Sequence, residues 1–183
     1  VGGGCLEADV WAEAKGVLRR GKATKISFEL TEKEAIESGL ICGGIVDVLI
    51  EPLSNFDGKL LAEIIRTRNE GGRAALASVV SRNDGKELSP EDRMLVRCDG
   101  STLGSIEGLE PEIGQAANEV IQQERPSNLT FVVPGSDLQM EIFLEPIMAR
   151  CRVYIFGGGH ISKHIAKVAS VTAFHLVIVE DRA

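Results

Sequence analysis

The chain repeats itself, and the repeat limits its possible folds more than any other feature. Apolar residues at Leu6, Val10, Ala14, Val17 and Leu18 have the spacing of an amphipathic helix. Glu7, Glu13, Arg19 and Arg20 fall largely off that stripe, and Gly21 is a suitable stop. The stripe returns at an offset of 103 residues as Leu109, Ile113, Ala117, Val120 and Ile121, with Glu110 in the place of Glu7. Ile26, Phe28 and Leu30 alternate with polar residues as a half-buried strand does, and the same offset carries them onto Leu129, Phe131 and Val133. A second strand, Val46 to Leu53 with Glu51-Pro52 near its end, resembles Met140 to Ile147 with Glu145-Pro146, now at an offset of 94. The expected unit is helix, strand, strand, occurring twice, at about 1–53 and 104–147.

The change of offset means that the first copy holds nine residues the second lacks, between Leu30 and Val46. That stretch contains Gly39-Leu40-Ile41-Cys42-Gly43-Gly44. Shared segments read as scaffold, and an insertion rich in glycine and carrying a thiol is where function is added to a scaffold. Between the copies the pattern predicts a helix near Leu60 to Arg68 and a strand near Ala74 to Val80. A hairpin from Met94 to Ile106 follows, with Asp99-Gly100 as its turn. Glu7, Glu110, Glu51 and Glu145 read as structural: the first two as acids at helix starts, the others as strand ends before proline. Cys98, Cys151 and Trp11 read as packing residues.

The last part has a different pattern. Arg152 to Phe156 is an apolar run, followed by Gly157-Gly158-Gly159-His160. Ile161, Ile165, Val168 and Ala169 then recur at helical spacing, and a second apolar run from His175 to Val179 ends at Glu180-Asp181-Arg182. Strand, glycine turn, helix, strand and acid is the opening of a doubly wound nucleotide-binding fold. Glycines let the backbone approach a pyrophosphate, the helix N-terminus offers free N–H groups, and the terminal acid can accept from ribose hydroxyls. Ser162 stands where the third glycine of the pattern falls, which keeps the close helix–strand approach and weakens the dinucleotide signal. The expected fold class is therefore α/β: a duplicated α+β domain over 1–150, then the start of a Rossmann-like domain over 151–183. Gly157, Gly158, Gly159, His160 and Asp181 are its candidate nucleotide-binding residues.

Composition removes several alternatives. A formal charge of −7 argues against a nucleic-acid or anionic-membrane partner. No window of the sequence is long and apolar enough for a membrane helix, and Val1 to Cys5 lacks the basic and apolar regions of a signal peptide. The four cysteines form no C-x-x-C pair, which argues against a dedicated zinc site and for free thiols in the cytoplasm. They also lack iron–sulfur spacing.

Three motifs, Gly2-Gly3-Gly4-Cys5-Leu6-Glu7, then Gly39 to Gly44 leading to Ile50-Glu51-Pro52, then Ile155 to His160 with Glu180-Asp181-Arg182, together resemble the XdhC/CoxI family. The resemblance implies a protein that binds molybdenum cofactor (molybdopterin) and works with a sulfurtransferase during sulfuration. It then delivers the cofactor to an apo molybdenum hydroxylase of the xanthine dehydrogenase or CO dehydrogenase type. It also implies a homodimer and a carrier, not a catalyst, so no catalytic residue and no resident metal are assigned. On that footing Gly3, Gly4, Cys5, Cys42, Gly43 and Gly44 are the candidate cofactor-binding residues. Cys5 stands at a helix start, where N–H groups favour a thiolate or a phosphate, and glycines around Cys42 allow close approach to a soft ligand. An NAD(P)-dependent oxidoreductase and a thiol redox or sulfur-relay protein are the competing readings.

Overall fold

The computed structural model describes residues 5–30, 44–89, 91–106, 108–149, 151–172 and 174–181. Over these residues the chain is a mixed α/β protein with four α-helices and three sheets. Helix α1 spans Cys5–Arg20, and the antiparallel strands β1 (Thr24–Leu30) and β2 (Gly44–Ile50) form a two-stranded sheet. A single 3-10 turn at Leu53–Asn55 leads into α2 (Gly58–Glu70), whose first turn is capped by the Asp57 carboxylate accepting from the Lys59 N–H at 2.9 Å. Strands β3 (Arg73–Arg82), β4 (Arg93–Arg97) and β5 (Thr102–Ser105), helix α3 (Glu110–Gln123), and strands β6 (Ser127–Val132) and β7 (Gln139–Met148) follow. The five strands make an antiparallel sheet in the order β5-β4-β3-β7-β6. Last come β8 (Arg152–Phe156), α4 (His160–Ala169) and β9 (His175–Val179), with β8 and β9 parallel.

Strand alternation divides the core between the two faces of the large sheet. Ala75, Ala77, Val79, Met94, Val96, Ile142 and Leu144 point to one face, where Ile113, Ala117, Val120 and Ile121 of α3 cover them. Ala74, Leu76, Leu95 and Ile147 point to the other, where Leu60 and Ile64 of α2 meet them. The α3 stripe read from the sequence is thus fully buried. The equivalent α1 stripe is less so: Val17 is buried, but Leu18 is 71% exposed. The difference follows from the partner, since α1 lies on two strands and α3 on the broad sheet.

The sequence offsets also describe the pairing. Phe28 faces Val46 as Phe131 faces Met140, Ile26 faces Val48 as Leu129 faces Ile142, and Thr24 faces Ile50 as Ser127 faces Leu144. The two helix–strand–strand stretches therefore share their register. The predicted β4–β5 hairpin forms with Gly100 at φ 83°, and its Asp99 carboxylate accepts from the Ser101 N–H.

Some expectations need correction. Glu145-Pro146 does not end its strand; β7 runs on to Met148. The proline is tolerated because β6 pairs with β7 only as far as Leu144, so Pro146 has a neighbour on the β3 side alone. Cys98 and Cys151 are exposed, one just past the end of β4 and the other just before β8, where no sheet face covers them. Trp11 is 64% exposed, with the Lys15 ammonium 3.1 Å from its ring centroid, a cation–π contact on the surface. In α4 the residues that face β8 and β9 are the small ones, Ser162 and Ala169, while Ile161, Ile165 and Val168 are exposed. Small side chains give the closest helix–strand approach, and that geometry turns the large apolar stripe aside.

Candidate functional site

Gly3, Gly4, Cys42, Gly43 and the rest of the glycine-rich insertion lie outside the described residues. Cys5 opens α1 and Gly44 opens β2. The connection from α1 to β1 is three residues long, so β1 runs back along the helix and β2, antiparallel to β1, runs with it. The first residues of α1 and β2 therefore lie at the same end of this unit.

At the C-terminal glycine turn, Gly157 adopts φ +98° and its N–H donates to Val179 O at 2.7 Å. The Ser162 hydroxyl, buried, donates to Gly157 O, so the residue in the third-glycine position ties the helix to the turn. Gly159 is the N-cap of α4. His160 and His164 meet edge to face, with their Nε2 atoms 3.2 Å apart. The Gly158 N–H donates to the Glu180 carboxylate, and a Cβ built on Gly158 would come within 2.8 Å of it. Asp181, the acid singled out in the sequence, is exposed, and its own N–H donates to Glu180 at 3.1 Å. The acid that engages the turn is thus Glu180, one residue earlier.

One concave feature among the described residues was not foreseen. A cavity of about 600 Å³ separates the β1–β2 sheet from the β3–β7 part of the large sheet and is closed at one end by α2. Its apolar lining includes Leu49, Phe56, Ile64, Leu76, Val80 and Phe143. Charged groups sit around it in a defined pattern. The Lys25 ammonium bonds Glu141 at 2.7 Å and lies 3.4 Å from Asp47, bridging the two sheets. Its pKa is raised, chiefly by the hydrogen bond to Glu141. Glu141 is lowered in turn by Lys25 and by the Asn128 amide, and Asp47 by the Ser27 hydroxyl and then Lys25.

Glu51 accepts from Arg93, a guanidinium only 6% exposed that also stacks on Phe56, 4.5 Å from the ring centroid. Arg93 Nε is buried without a hydrogen-bond partner among the described residues. Glu145 and Arg68 also line the cavity, and neither has an ion-pair or hydrogen-bond partner among the described residues. By the repeat offsets, Asp47 corresponds to Glu141, Leu49 to Phe143 and Glu51 to Glu145. Positions related by these offsets therefore lie on opposite walls of the cavity, Leu49 and Glu51 on one and Phe143 and Glu145 on the other. The signal lies in the polar alternates of the strands, Lys25 and Asp47, which the sequence reading did not single out. No group of three or more His, Cys, Asp or Glu among the described residues is arranged to hold a metal. No described helix is long and apolar enough to cross a membrane.

The described residues thus form a mixed α/β protein with a cavity between two sheets and a glycine-turn βαβ unit. Residues 67–132, from Thr67 in α2 to Val132 in β6, match the model of the XdhC and CoxI family. The match lies apart from the three motifs that carried the resemblance, and so adds to them independently. The uncharacterized protein YqeB of Escherichia coli (strain K12) is 26% identical over 135 residues, which are 66% of this chain and 24% of that protein. The chain thus spans about a quarter of that relative's length. The crystal structure of a xanthine dehydrogenase from Bacillus halodurans aligns with a TM-score of 0.37 at 14% identity, over 66% of this chain and 61% of that one. At that level the likeness carries no argument.

Proposed function

We propose that the protein is an accessory factor that binds molybdenum cofactor and delivers it, during sulfuration, to an apo-hydroxylase of the xanthine dehydrogenase or CO dehydrogenase type. The observation that carries the reading is the match of residues 67–132 to the XdhC and CoxI family. In this reading the two helix–strand–strand stretches are copies of one unit, the insertion holding Cys42 is the functional addition to the first, and the protein works as a cytoplasmic homodimer alongside a sulfurtransferase. The donor chemistry fits the group. A helix that begins at Cys5 turns its unpaired first-turn N–H groups toward the end of the unit where β2 begins, which suits a phosphate. Cys5 and Cys42 would offer soft sulfur to the metal, with Gly3, Gly4, Gly43 and Gly44 allowing close approach. The bound cofactor supplies the metal and its dithiolene; the chain holds, shields and releases it.

The test is anaerobic binding of molybdenum cofactor to the full-length protein, scored by bound molybdenum and pterin fluorescence. Stoichiometric binding by the wild type, abolished in Cys42→Ser, is expected. A folded wild type that binds none overturns the proposal.

The βαβ unit favours a second reading, in which β8–α4–β9 opens a Rossmann-like domain that takes NAD(P) at Gly157 to Gly159. A nucleotide phosphate there has to displace the Glu180 carboxylate from the Gly158 N–H. Saturable quenching or enhancement of NADH fluorescence, strengthened in Glu180→Gln, supports that reading, and no response in either form removes it.

A further inference from the structure

We infer that His160 and His164 form a two-ligand site for a late divalent transition metal such as zinc, nickel or copper. The inference is independent of both readings above. The two residues stand four apart on α4, so their side chains leave one face of the helix a turn apart. Both are exposed, which gives a metal access from solvent. Their Nε2 atoms are 3.2 Å apart. Two imidazoles bound to one metal at about 2.0–2.1 Å, with a near-tetrahedral angle between them, set their nitrogens about 3.1–3.4 Å apart. The tilt of the rings agrees. A straight N–H···N bond at this separation runs through both rings and holds their centroids about 5.5 Å apart. The centroids are 4.8 Å apart, with the planes at 70°. The ring axes are therefore bent off the line joining the nitrogens. That bend weakens a hydrogen bond, and it is the arrangement of two nitrogens aimed at a common third point. Neutral imidazole suits zinc, nickel and copper, and histidines four apart on a helix are a chelate that zinc sites use. No group of three or more His, Cys, Asp or Glu is arranged for a metal among the described residues, so the pair supplies two ligands and water or another small ligand takes the remaining positions. The positive end of the α4 dipole opposes a cation near its first turn. The site is therefore an exchangeable one and not a structural one.

The experiment titrates the whole chain with Ni²⁺ by isothermal calorimetry. Beside it are run His160→Gln, His164→Gln and an exchanged form, His164→Ile with Ile165→His. The exchanged form keeps the composition and moves one imidazole to a position five residues from the other, off the shared face. His175→Gln, which alters an exposed histidine on β9, is the control. All the positions changed are exposed, so every form should keep the wild-type circular dichroism spectrum. The wild type and His175→Gln should show a saturable site that the other three lose or bind at least about tenfold more weakly. Sites on thiols persist in every form and drop out of the comparison. Mg²⁺, which prefers oxygen ligands, should give no such site. With one equivalent of Cu²⁺, pulsed electron paramagnetic resonance should show two coupled imidazole nitrogens, and one in either Gln form. A wild-type isotherm matched by His160→Gln or His164→Gln, undiminished binding in the exchanged form, or a copper signal without two imidazoles each overturns the inference and leaves a hydrogen-bonded pair.

Discussion

Arg93 and Glu51 make opposite predictions for two substitutions of the same ion pair. The guanidinium is 6% exposed, while the Glu51 side chain is 22% exposed. Replacing Glu51 with Leu leaves a buried cation that has lost its anion, with Nε already lacking a partner. Breaking a buried pair in this way costs about 3 kcal/mol or more, and the partial access of Glu51 to the cavity places this case near about 2–3 kcal/mol. Replacing Arg93 with Met removes the unsatisfied Nε, keeps a long apolar stem against Phe56, and leaves a carboxylate that water in the cavity can reach. Its cost should be about 0–1 kcal/mol. For a chain of this length about 1 kcal/mol corresponds to about 2–4 °C in melting temperature. Glu51→Leu should therefore melt roughly 5–10 °C lower and Arg93→Met within a few degrees of the wild type. The double variant should recover most of the Glu51→Leu loss, because no charge then remains buried. Urea and thermal unfolding of all four proteins complete the cycle. A double variant no more stable than Glu51→Leu, or an Arg93→Met as damaging as Glu51→Leu, would refute the assignment of Arg93 as a charge that depends on Glu51.

Further expectations concern acid titration, backbone fit and helix capping. The Glu63 carboxyl, held by Arg66 and by Arg97, is lowered from an ordinary 4.5 to about 2. Its contribution is complete above the ordinary value and disappears as pH falls through about 2, so the Glu63 carbon resonance should titrate near there and Glu63→Gln should flatten the acid limb of the stability profile. A resonance midpoint near the ordinary value would show that the two arginines do not hold it. Gly104 has φ +79°, and a Cβ there would stand 2.4 Å from Arg93 O, so Gly104→Ala should cost about 2–3 kcal/mol, seen as a lower urea midpoint at unchanged slope. Asp57→Ala, which removes the α2 cap, should cost about 1 kcal/mol, recovered by Asp57→Ser. Equal losses for the Ala and Ser variants would exclude the cap as the cause.

Much of the scaffold could be read from the sequence because each signal was local. The α3 stripe, the Asp99-Gly100 hairpin and the strand–glycine–helix–strand run at the C-terminus all depend on residues within one or two elements. The offsets also relate positions that share a strand register in the structure, Phe28 opposite Val46 and Phe131 opposite Met140. The cavity depends on nonlocal facts. Lys25 and Asp47 alternate with apolar residues in the manner of a solvated face, and nothing nearby in sequence says that a second sheet lies 116 residues away at Glu141. Glu145-Pro146 was misread for a similar reason: whether proline ends a strand depends on how far the neighbouring strand extends, and β6 stops pairing at Leu144. At the glycine turn the Glu180 carboxylate accepts from the Gly158 N–H, a contact set by backbone direction that the Glu180-Asp181 pair does not announce in sequence.

The Lys25 bridge has a consequence for how the molecule opens. The β1–β2 unit meets the large sheet through Lys25 to Glu141 and Glu51 to Arg93, and the flanking connections are tied by Lys22 to Glu87 at 2.6 Å and by the Asn55 amide to Gly21 O at 3.2 Å. These links are polar, two part-buried and two exposed to water, whereas β3 and β7 are clamped by apolar layers on both faces. Polar links weaken with added salt and apolar layers do not. The amides of β1 and β2 should therefore exchange with deuterium as one cooperative block, earlier than those of β3 and β7, at a rate that rises with ionic strength. The protein is then a clasp as much as a scaffold, with one rigid half and one half that salt can loosen.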